Sequence, residues 1–218
     1  MYIQSITEQN GLVTVTICGG NDAFETFSVS VGRLKRISPP ISEGMTVDEG
    51  LYGKIEHASA VTAAVRTAAN LLSASDKSAR MLKRRLIEKG ISAEAAEDAV
   101  EFMIRKGYLN EERQASVYAE AAVRTKLYGK RRIMRELYAK GYDQSVIRQA
   151  ADGISDEEYD AALRKYLDKT LRKSYNVDST KIRKIAAAAQ RLGHAPSAAI
   201  RYIKSHMAED DLFDGEVD

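Results

Sequence analysis

At 218 residues, with 44% hydrophobic and 29% charged residues, the chain has the make-up of a soluble globular protein and room for one or two domains or an array of small ones. It contains no apolar run of roughly 20 residues and no basic-then-apolar leader at its N-terminus, so a membrane protein is not expected and a cytoplasmic location is the default reading. Its net charge of +2 conceals segregation: residues 77–140 carry 16 Lys/Arg against 9 Asp/Glu, residues 164–191 carry 9 against 2, and residues 209–218 carry six acidic side chains and no basic one.

Residues 1–45 read as a small β module and linker. Val13, Val15 and Ile17 alternate with Thr14 and Thr16, the period-2 pattern of a half-buried strand. Asn10-Gly11 between two such runs is a hairpin signal, because both central positions of a type I′ turn need φ > 0. Gly19-Gly20-Asn21-Asp22 marks a second turn, and Phe27, Val29 and Val31 line a third strand. Three strands with one apolar face need something to lean on. Pro39-Pro40 and Gly44 then interrupt regular structure. Thr46-x-x-Glu49 resembles a capping box opening a helix, which the pattern Ala64, Ala68, Leu71, Leu72 carries to about Ser73.

Three helical repeats follow, over 46–109, 110–154 and 155–208, with an acidic, disordered tail expected over 209–218. The stretch Leu82-Lys-Arg-Arg-Leu-Ile-Glu-Lys-Gly90 returns as Ile133-Met-Arg-Glu-Leu-Tyr-Ala-Lys-Gly141 and, worn, as Ile185-Ala-Ala-Ala-Ala-Gln-Arg-Leu-Gly193, so the closing glycines are 51 and 52 residues apart. Apolar residues at i and i+4 define one helix face in each copy, and each copy ends at a residue suited to a left-handed C′ position. A fixed period of this length indicates one supersecondary unit used repeatedly. Ser75 or Asp76 is expected to cap the helix through Leu82, Ser92 and Asn110 the next two, and Asp143 a short helix ending at Gly153. Ser155-x-x-Glu158 opens a helix to about Tyr175, Asp178 or Ser179 caps another, and Pro196 starts the last. The fold class is therefore mainly α: an elongated array of three tandem three-helix repeats behind a three-strand module.

No catalytic constellation is present. The chain has no Walker-type glycine loop, no Gly-x-Ser-x-Gly elbow and no acidic metal-nuclease cluster. His57, His194 and His206 lie far apart, and the single cysteine, Cys18, excludes an internal disulfide and reads as a small apolar residue. No enzyme, cofactor or metal is expected. Helical phase places Ile133, Met134, Leu137 and Tyr138 on the apolar face of their helix and turns Arg132, Arg135 and Glu136 outward. Arg84, Arg85 and Glu88 point outward on the equivalent helix. Tyr108, Tyr128, Tyr138 and Tyr142 read as core residues and helix-end packing, with base stacking as the alternative.

Three stretches together resemble the RecX family of RecA modulators: Leu86-Ile-Glu-Lys-Gly90, then Gly107-Tyr-Leu-Asn-Glu-Glu-Arg113, then Lys126-Leu-Tyr-Gly-Lys-Arg-Arg-Ile-Met-Arg-Glu-Leu-Tyr-Ala-Lys-Gly141. The resemblance covers roughly residues 46–205 and is strongest over 77–154. It implies a non-catalytic protein, a monomer without membrane association, lying in the groove of the RecA filament on single-stranded DNA. There it would limit filament extension or promote disassembly, lowering recombination and ATP hydrolysis, and touch recombinase and, more weakly alone, DNA. The candidate RecA- or DNA-binding residues are Lys83, Arg84, Arg85, Arg124, Lys130, Arg131, Arg132, Arg135, Lys181 and Lys184. A free-standing helical DNA-binding protein, acting without RecA, is the alternative.

Overall fold

The N-terminal hairpin turns at Asn10 and Gly11, whose φ angles of 53° and 75° meet the type I′ requirement. A computed structural model of the chain describes residues 1–20, 23–172 and 178–213, the last six of these by their backbone alone. Strands β1 (Tyr2–Gln9), β2 (Leu12–Cys18) and β3 (Phe24–Ser30) form an antiparallel sheet in the order β1-β2-β3. Of the second expected turn, Asn21 and Asp22 lie outside the described residues. A single helical turn, α1 (Val31–Leu34), follows β3.

What the sheet leans on is helix α2 (Glu49–Ala74): Ile3, Val13, Val15, Ile17 and Val29 pack with Leu51, Ile55 and Ala58. Both sheet edges are covered in part within the chain. On β1, Ile3 N donates to Met45 O at 2.9 Å and Ile6 N to Glu43 Oε1 at 2.8 Å. On β3, Ser28 N and Ser30 N donate to the hydroxyls of Ser59 and Thr62 on α2, each at 3.1 Å. Edge donors satisfied this way offer no template to another strand.

The second half of α2 serves a different core. Ala64 and Ala68 pack with Leu82 and Leu86 of α3 (Ala79–Glu88) and with Ala96, Ala99 and Met103 of α4 (Ala93–Arg105). Because one 26-residue helix closes both cores, the proline-rich stretch before it is no gap between them, and Ile37 and Val47 of that stretch are themselves buried. Two expected caps are corrected. Asp48, not Thr46, caps α2, accepting from Leu51 N at 2.7 Å, because Thr46 bridges to Tyr2 at the sheet edge. Ser78, not Ser75 or Asp76, caps α3, because Ser75 is the extended residue that ends α2.

Residues Met1–Asn110 and Glu111–Asp218 form two compact units. In the second, α5 (Glu111–Lys126), α6 (Lys130–Ala139) and α7 (Gln144–Asp152) enclose Ala115, Ala119, Ala122, Ile133, Leu137 and Ile147. Helix α8 (Asp156–Leu171) opens with the expected capping box. It gives Tyr159 and Ala162 to that core, and Leu163 and Leu167 to a thinner one with Ile185, Ala189 and Ile203 from α9 (Ser179–Arg191) and α10 (Pro196–Phe213). Residues 173–177, where the helix to Tyr175 was expected to finish, lie outside the described residues. Helix α10 runs on to Phe213, past the expected start of the tail at Glu209, because the stretch from Ala208 to Phe213 contains no helix breaker. Residues 214–218 are not described.

Each repeat closes as expected, with Gly90, Gly141 and Gly193 at φ of 85°, 84° and 95°. Gly129 and Gly193 meet directly: Gly129 N donates to Leu192 O at 2.8 Å, and a Cβ on Gly129 would stand 2.5 Å from the carbonyl carbon of Gly193. Only glycine at both places lets these two backbones touch.

Candidate functional site

The basic face of α3 is occupied from within. Lys83 pairs with Glu97 of α4, while Arg84 Nε and Arg85 Nη1 converge on Glu88 at 3.2 and 2.8 Å. An incoming anion would have to displace these carboxylates. Such exposed pairs are individually weak, on the order of 0–1 kcal/mol, so the face is muted rather than closed.

On α6 the candidates divide. Lys130 pairs with Asp152 at 2.8 Å, and this hydrogen bond raises its pKa. Arg132, expected to point outward, is a structural residue: it lies 4.4 Å over the Tyr128 ring, pairs with Glu136 and donates from Nη1 to Arg191 O at 3.1 Å. Helical phase placed it outside because one helix does not reveal that the Leu192–His194 corner packs there. Arg131 and Arg135 are exposed and make no ion pair among the described residues. Lys181 and Lys184 on α9 are exposed as well.

The tyrosines also divide. Tyr142 is buried, and Tyr128 takes Lys126 at 5.6 Å as well as Arg132 over its ring. Tyr118 carries Lys126 and Lys140 over its own ring at 5.5 and 5.0 Å. Burial first, then nearby Glu136, raises its hydroxyl pKa. Tyr108 and Tyr138, both read as packing residues, are each 68% exposed, because the helix ends they occupy carry no neighbour over that side.

A further group of cations, without ion pairs among the described residues, lies in a groove of about 690 Å³ between α5 and α8. Its walls are Arg124, Thr125 and Leu127 on one side and Ala161, Arg164, Lys165, Asp168, Lys169 and Arg172 on the other. Buried Leu163 and Leu167 pin the inner face of α8, which turns Arg164, Lys165 and Lys169 outward, with exposed Arg172 following at its C-cap. Of these five cations only Arg124 was a candidate from sequence. The signal was the excess charge of residues 164–191, but which of them meet across a groove depends on how α8 packs beside α5. Among the described residues no three His, Cys, Asp or Glu side chains are grouped to hold a metal, and no helix is long and apolar enough to cross a membrane. His57 is held by Asp98 at 2.9 Å.

Two family models match the chain. The first three-helix domain of RecX matches residues 64–103 and the second matches 110–150. A regulatory protein RecX of Streptomyces coelicolor is 25% identical over 141 residues, covering 64% of this chain and 75% of its own. One from Amycolatopsis mediterranei is 28% identical, covering 68% and 87%. One from Listeria monocytogenes, 28% identical, is matched over only 50% of its length. Among solved structures, a regulatory protein RecX superposes with a TM-score of 0.73 at 18% identity, covering 90% of this chain and 96% of that one. The RecX of Lactobacillus salivarius superposes with a TM-score of 0.61, also at 18% identity, over 67% and 96%. At that identity the likeness is one of fold.

Proposed function

The chain belongs to the RecX family, and on that premise we propose that it is a non-catalytic regulator of RecA. It binds in the groove of the RecA filament on single-stranded DNA and limits filament extension, recombination and ATP hydrolysis. The observation that carries this reading is the pair of RecX three-helix domains matched in tandem over residues 64–103 and 110–150. The open cations of the second unit, Arg131 and Arg135 on α6 and the five of the α5/α8 groove, suit a partner rich in phosphate or carboxylate. The alternative, a DNA binder acting without RecA, is favoured only by that same charge.

The test is RecA's DNA-dependent ATPase and strand exchange with the purified protein added. Substoichiometric chain is expected to slow both. Unchanged rates at an excess of the chain over RecA would remove RecA from the account.

A further inference from the structure

We infer that the groove between α5 and α8 is a binding site for the sugar–phosphate backbone of a single-stranded nucleic acid. This deepens the function proposed above and rests on it for its biological role, though the binding itself is readable without RecA. Arg124 stands on one wall and Arg164, Lys165, Lys169 and Arg172 on the other. All five are exposed, and none makes an ion pair among the described residues. That separates them from Lys83, Arg84, Arg85, Lys130 and Arg132, each of which already has a carboxylate. The carboxylate within the cluster, Asp168, accepts from the Tyr202 hydroxyl at 2.6 Å and removes one charge, so the groove remains strongly positive.

Compensation of helix dipoles does not account for the cluster. That effect fades within the last turn, whereas Arg164 and Lys165 sit more than one turn before the end of α8 at Leu171. Towards the start of α8 the lining turns acidic, at Glu120 and Glu158, so the cationic stretch has a definite end. From Arg164 to Arg172 the helix rises about 12 Å at 1.5 Å per residue, long enough for its cations to meet successive phosphates of one strand. Among the described residues no aromatic, Asn or Gln side chain lines the groove. Its cations are therefore set to meet phosphate oxygens first, the contact that positions a strand without reading its sequence. An acidic protein partner fits less well: the cationic stretch has only Leu127 and Ala161 as apolar lining among the described residues, and the further apolar lining at Val123, Ile154 and Ala162 lies beside Glu120 and Glu158, which would repel an acidic segment anchored there.

Two triple variants of the full chain separate the possibilities: Lys165→Gln/Lys169→Gln/Arg172→Gln in the groove, and Lys83→Gln/Arg84→Gln/Arg85→Gln on the α3 face, whose cations are already paired. Binding of labelled oligothymidylate is followed by fluorescence anisotropy across a salt series, with circular dichroism melting to verify folding. The groove variant is expected to bind at least tenfold more weakly. Its log K against log salt should lose roughly 2 in slope, at about 0.7 per phosphate on single strands. The face variant should stay within about twofold of the unsubstituted chain, because its cations are already held by carboxylates. A groove variant that binds like the unsubstituted chain, or a face variant that loses more, overturns the assignment. So does polyglutamate displacing the oligonucleotide as well as unlabelled oligothymidylate does, since the groove would then be a general carboxylate site. RecA ATPase run beside it keeps the two readings apart. No effect of the unsubstituted chain on RecA overturns the regulator and leaves the groove standing; inhibition of RecA with undiminished DNA binding by the groove variant overturns the groove alone.

Discussion

His194 is 5% exposed and lies 2.9 Å from the Leu127 carbonyl. A carbonyl only accepts, so Nε2 carries the proton of the neutral ring. Burial is the main influence on this imidazole and lowers its pKa from 6.5, against smaller upward pulls from the Leu127 carbonyl and Asp160. The folded state therefore refuses a proton that the unfolded chain accepts as pH falls through about 6.5. Its contribution to stability is intact above that value and declines as pH drops towards the lower folded pKa. The urea midpoint of the unsubstituted chain is expected to fall between pH 7.5 and 5.5, and His194→Gln to show a flatter dependence over the same window. Parallel curves for the two proteins would show that His194 titrates normally. In sequence this histidine stood apart from any partner, since its acceptor is 67 residues away.

At the level of helices, α3 and α6 are the same element used twice. Leu86 and Leu137 occupy equivalent places four residues before their closing glycines, and both are 0% exposed. Leu86→Ala and Leu137→Ala are each expected to cost about 2–5 kcal/mol, the transfer term plus the cavity left behind. Denaturation of the two variants measures this, and losses under about 0.5 kcal/mol, the size of surface changes, would contradict the burial. These helices were legible because i/i+4 spacing and a terminal glycine are local features. The caps at Asp48 and Ser78 were less so: several residues near each start can cap a helix, and the choice follows from where the preceding segment is held.

For the whole molecule, the expected signature is the contrast between bare DNA and filament. Neutralising phosphates makes affinity fall with salt at about 0.7 per contact on single strands, whereas buried apolar and hydrogen-bonded contacts to protein are screened less. Titration at several salt concentrations should therefore show weak, steeply salt-dependent binding to bare single strands. Binding to the RecA–DNA filament should be tighter and less sensitive. Equal affinity and equal slope on both targets would favour a free-standing DNA binder.

The sequence by itself determined the hairpin at Asn10-Gly11, the helical repeats with their closing glycines, the capping box at Ser155 and the family resemblance. Each rests on residues within a few positions of one another, where backbone preference and periodicity act directly. It also announced the charge of residues 164–191 without placing it. Only the tertiary structure decided that α2 closes two cores, that Arg132 is spent on Tyr128, Glu136 and Arg191 O, and that Arg124 faces the cations of α8. A helix's phase says which side chains leave its buried face, but what meets them there is set by packing between segments that may be 60 residues apart, and composition carries no record of it.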